Sequence, residues 1–70
     1  MSRDKMLCRF GHYCALAARL LNDKSYAERW IGHAEDITPE IFAVETVEIC
    51  ARLEKAHLIA ADEDPWESRL

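Results

Sequence analysis

Residues 21–30 read LNDKSYAERW, and the fold turns on whether a helix runs through them. Upstream, at about 100° per residue, Met6, Leu7, Phe10, Tyr13, Cys14, Ala17, Leu20 and Leu21 fall on one helical face. Arg9, His12, Arg19 and Asp23 fall opposite. An unbroken helix would carry Tyr26 and Trp30 to that polar side, away from Leu20. Asn22, Asp23 and Ser25 are residues that bond their own backbone and so favour caps and turns. Ser25 and Glu28 also have the S-x-x-E spacing of a capping box. The stretch therefore predicts a break or sharp kink near 22–25, followed by a short helix over 26–35. One long helix whose second half faces a different surface is the alternative.

Working outward, the first helix is expected over about 3–22, with Ser2 or Asp4 as cap and Lys24 near the negative end of the helix dipole. Gly11 lowers its propensity by about 1 kcal/mol relative to alanine without ending it. On the other side, DITPEIF (36–42) is a strong helix start. Thr38 suits the N-cap, Pro39 the first helical position and Glu40 the positive end. Ile37 and Phe42 have the spacing of a hydrophobic staple. The third helix is expected over about 39–61. Phe42, Ala43, Val47, Ile49, Cys50, Leu53 and His57 form its apolar face, opposite Glu45, Glu48, Arg52 and Lys55. Pro65 discourages continuation.

The expected class is all-α: a helical hairpin with a kinked or broken first arm. A single helical domain over 1–61 carries an acidic C-terminal tail over 62–70. Two amphipathic arms leave half of each apolar stripe uncovered. At 70 residues a lone core contributes only about 3–5 kcal/mol. A homodimer closing into a four-helix bundle is the first expectation, and a three-helix monomer using 26–35 as cover is the alternative.

Composition narrows the function. The chain has no apolar run of the roughly 18 residues that a membrane span needs, and MSRDKMLCRF has no signal-peptide character. Three cysteines, an odd number without a CxxC, point to reduced thiols and a cytoplasmic location. The net charge of −4 is unevenly placed. Residues 1–34 hold six basic and three acidic side chains, residues 35–70 three basic and ten acidic. The basic residues are scattered, so no direct binding of nucleic acid is expected. In size and pattern the chain is similar to small two-helix plasmid- or phage-encoded regulators that dimerise into bundles, but it lacks the basic face of RNA-binding members.

Candidate chemistry is sparse. On an extended third helix, Cys50, Glu54 and His57 share a face, and Glu54-x-x-His57 has the spacing of di-iron bundle proteins. The inward glutamates such a site needs from other helices are missing, so a core stripe is the simpler reading. Cys8 and His12 are half a zinc site at most. Cys50 and His57 lie about 10 Å apart along a helix, too far for a nucleophile and its base. No phosphate-binding loop is present. The expectation is a non-enzyme with no metal and no cofactor.

Tyr26, Trp30 and Trp66 lie off the main stripe and are candidate binding anchors. Glu35, Asp36 and Glu40, with Asp62, Glu63 and Asp64, supply acidic surface near the chain's bends. Together they suggest a small acidic regulator or inhibitor. It would dock on a larger protein, with a nucleic-acid-binding protein as one candidate, and block a nucleic-acid or partner site. The alternatives are a structural subunit that assembles with itself and a metal-binding bundle using Glu54 and His57.

Overall fold

The computed structural model describes residues 2–61. Among these residues there are three helices and no strand: α1 (Arg3–Leu20), α2 (Ser25–His33) and α3 (Pro39–Lys55). The class is all-α, as expected, and α2 lies over α1 in the manner of the three-helix alternative. The acidic tail expected over 62–70, with Asp62, Glu63, Asp64 and Trp66, lies outside the described residues.

The break falls where the cap residues place it. The Ser2 hydroxyl opens α1 by accepting the Lys5 N–H at 3.3 Å. At the other end, Leu21 N–H donates to the Ala17 carbonyl at 2.9 Å and Asp23 N–H to that of Ala18 at 3.0 Å. Between them Asn22 adopts φ +53°, a left-handed conformation that asparagine tolerates better than most residues. The expected Ser25–Glu28 box is replaced by a tighter device. Ser25 is already the first helical residue, and Asp23 Oδ1 accepts both its N–H at 3.0 Å and its hydroxyl at 2.7 Å.

Those bonds, the Ser25 hydroxyl first, hold the Asp23 carboxyl below its ordinary value of 3.8. A lowered folded-state pKa adds stability above the ordinary value, and that stability is lost as pH falls through the folded one. Asp23→Ala is therefore expected to lower the melting temperature at neutral pH, with the gap closing in strong acid. Melting curves of both proteins from pH 7 to pH 2 check this.

The corner before α3 follows the sequence closely. Thr38 Oγ1 accepts the Ile41 N–H at 3.2 Å, and Pro39 takes the first turn. Ile37 and Phe42 both join the core cluster. The far end of α3 differs from expectation, since the helix stops at Lys55 and does not reach 61. His57 turns left-handed at φ +61°. Its N–H donates to the Glu54 carbonyl at 3.0 Å and Leu58 N–H to that of Leu53 at 2.9 Å. These are the two bonds of a Schellman ending. The turn brings Ile59 back into the core, and no glycine marks it in the sequence.

α1 is the common partner: α2 packs against it on one flank and α3 on the other, and α2 and α3 have no backbone packing on each other. The core joins Phe10, Tyr13, Cys14, Leu16 and Ala17 of α1 to Tyr26, Ile37, Ile49, Leu53 and Ile59. Because α1 serves two neighbours, its buried arc is wider than the expected stripe and takes in Leu16. α3 has backbone packing on α1 alone, so its buried arc is narrower. Of its seven expected core residues, Ile49 and Leu53 are buried and Phe42 and Cys50 partly so. Ala43, Val47 and His57 are exposed, which corrects the expected apolar face.

Candidate docking surface

Tyr26, expected as a surface anchor, belongs to the core. Its position in the first turn of α2 points it at α1, and it is 0% exposed. Its hydroxyl accepts a hydrogen bond from the Arg52 guanidinium. The guanidinium carbons of Arg29 and Arg52 lie 5.1 and 5.4 Å from the ring centroid, within cation–π range. The signal that it is buried was present in the sequence. Tyr26, Arg29, Trp30 and His33 recur at helical spacing and form the inner side of α2.

Trp30 keeps its place at the surface, 39% exposed. Its indole N–H donates to the Leu7 carbonyl at 3.0 Å, and the ring lies over Gly11. A Cβ at Gly11 would sit 3.1 Å from Nε1 and 3.3 Å from Cε2, closer than ordinary contact, so the ring would have to give by a few tenths of an ångström. Gly11→Ala sets a helix-propensity gain of about 1 kcal/mol against displacement of this ring. The expected outcome is a stability change within about 1 kcal/mol and easier acrylamide quenching of Trp30. The measurement is made with Trp66→Phe so that one indole remains.

Beside Trp30 opens a groove of about 360 Å³, floored by Gly11, Cys14, Ala15 and Ala18 of α1 and walled by Ala27 and Trp30 of α2. No charged side chain lines it. Burial, followed by the charge of Glu45, pushes the Cys14 thiol up to about 11. At neutral pH it is protonated and a poor nucleophile.

A network of long polar side chains bridges α2 to α3. Arg29 Nη1 lies 3.1 Å from Glu48 and 3.5 Å from Glu45, and the Glu48 hydrogen bond raises the Arg29 pKa further. His33 Nε2 lies 3.3 Å from Glu45 and Nδ1 3.5 Å from Asp36. Arg52 reaches Asp23 at 3.7 Å. At the α2–α3 corner the fold brings together Glu35, Asp36 and Glu40, all exposed, at the same end as the first turn of α1, where Arg3 donates to the Ala34 carbonyl at 2.8 Å.

His57 leaves the helix, so it and Glu54 are not one helical turn apart, and the geometry that motivated a metal site at this pair is absent. Among the described residues no group of three or more His, Cys, Asp or Glu side chains is placed to hold a metal ion.

Sequence reasoning missed one surface. Val44 and Val47 are 67% and 69% exposed, and Ile31 on α2 is 65% exposed. Val44, Val47 and Ala51 recur at i, i+3 and i+7, about 120–180° around the helix from Ile49 and Leu53. α3 thus has two apolar stripes, and the periodicity alone does not say which one meets the core. A shallow depression of about 270 Å³, lined by His33, Glu40, Ile41, Val44 and Glu45, adjoins the outer stripe. No protein-family model, curated protein or solved structure matches the chain.

Proposed function

We propose that the chain is a small acidic, non-enzymatic protein-binding regulator or inhibitor that docks on a larger protein and blocks a nucleic-acid or partner site. One observation carries this reading: Trp30, Ile31, Val44 and Val47 stand exposed outside a core that one chain already closes. Large apolar side chains left on a finished core mark surfaces that a partner covers. The exposed acids Glu35, Asp36 and Glu40 add a field that attracts a cationic partner and speeds the encounter. Cys8, Cys14 and Cys50 form no disulfide among the described residues, which supports a reducing, cytoplasmic setting. No helix among those residues is long and apolar enough to cross a membrane. The test is affinity capture at low salt, identification of the retained protein, and measurement of that protein's own nucleic-acid or partner binding with the chain added. Loss of that binding is the expected result. A chain that retains nothing, or a captured protein whose binding is unchanged, refutes the reading.

Self-assembly, including a two-fold dimer forming a four-helix bundle, is the second reading. The uncharged groove of small residues favours it, because such residues let another helix approach closely. Light scattering with dilution to low micromolar concentration distinguishes the two: a mass that stays at twice the monomer's supports assembly.

A further inference from the structure

We propose that the outward face of α3, with Val44 and Val47 set among carboxylates, is the docking surface, and that its occupant is a cationic amphipathic helix of the partner protein. The inference rests on the docking reading above and names the surface and the chemistry it takes. Val44 and Val47 stand one turn apart on the side of α3 turned away from α1, both about two-thirds exposed. Glu40 lies along the same line toward the N-terminus, Glu54 toward the C-terminus, and Glu48 borders it, all three exposed. Lys55, in the last turn, is the one cation on this face. Glu48 is held by Arg29, whereas Glu40 and Glu54 form no ion pair among the described residues. A straight helical face with apolar centre and charged margins is matched by another helix, whose own anchors recur at i, i+3, i+4 and i+7. The depression between Ile41 and Val44 gives one of those anchors a place to sit. Lysines or arginines flanking the anchors then meet Glu40 and Glu54.

Charge complementarity selects this occupant over the others available. A second copy presenting its own α3 would set carboxylates against carboxylates. A second copy presenting the outer face of α1 offers Lys5, His12 and Arg19, but only Cys8 and Ala15 to cover the valines. The chain's own 62–70 stretch carries Asp62, Glu63, Asp64 and Glu67 against Arg69, the wrong sign for this face.

The test titrates the isotopically labelled chain with a peptide of about 18 residues, five helical turns, with leucines at the anchor spacing and lysines elsewhere. A twin peptide with glutamate for lysine serves as comparison. The lysine peptide is expected to move the amides of residues 40–55 and to bind at least about tenfold more tightly than its twin. Val44→Ser with Val47→Ser leaves the charge unchanged and touches no core residue. It is expected to weaken binding about tenfold or more. Glu40→Gln with Glu54→Gln is expected to weaken it several-fold, with less sensitivity to salt. Equal binding of the two peptides, indifference to the valine changes, shifts confined to the Trp30 groove, or an α3-mediated dimer in the absence of peptide would each overturn the proposal. If an identified partner is still held by the Val44→Ser, Val47→Ser protein, this inference fails while the docking reading stands. If the peptide behaves as expected but no protein is ever retained, the surface stands and the docking reading fails.

Discussion

Tyr26→Ala is expected to leave most of the chain unfolded at 25 °C. The ring is fully buried where α2 meets the core, and truncating a buried aromatic costs about 3–5 kcal/mol. A chain of 70 residues has a core contribution of about the same size, so the loss consumes nearly all of it. Tyr26→Phe isolates the hydroxyl. It removes the bond from Arg52, a half-exposed guanidinium that water can serve instead, and is expected to cost only about 1 kcal/mol. Urea melts followed by helical circular dichroism measure both. A Tyr26→Ala protein within about 1 kcal/mol of the parent would mean that α2 is not held to the core through this ring.

Leu53→Ala is the second large effect, and its value lies in the comparison with Val47→Ala. Both residues belong to the apolar face expected of α3, but Leu53 is fully buried and Val47 is not. Emptying the Leu53 site is expected to cost about 2–5 kcal/mol. Val47→Ala removes atoms already in water and is expected to stay within about 0.5 kcal/mol. Equal costs would place the inner face of α3 elsewhere, and with it the surface left for a partner.

How far the sequence could be read depends on what each signal measures. Caps are local, and they held well. Ser2, Asn22–Ser25 and Thr38–Pro39 set four helix boundaries to within about two residues, because each acts through bonds to its immediate neighbours. The end of α3 was illegible because a left-handed histidine takes the place that a glycine would have advertised. Core faces were only half legible. Periodicity reports that a helix is amphipathic, but α3 carries two apolar stripes, and only the position of α1 decides that Ile49 and Leu53 go inside. The same limit governed the candidate site. Tyr26 lies off the α1 stripe because it belongs to a separate helix with its own inner side, so being off-stripe did not make it a surface anchor. Trp30, by contrast, lines an open groove, and Glu35, Asp36 and Glu40 do gather at one corner.

The central position of α1 has a consequence for motion. Since α2 and α3 each lean on α1 and meet one another only through side chains, the outer end of either can fray while the other stays in place. Only α1 requires both to leave before its own amides open to solvent. Hydrogen exchange should therefore be graded. The C-terminal part of α2, beyond the turn that holds Tyr26, should exchange fastest, α3 next, and the middle of α1 only with global unfolding. A partner seated on α3 would slow exchange there first, and at the end of α2 only through His33, which lines the shared depression.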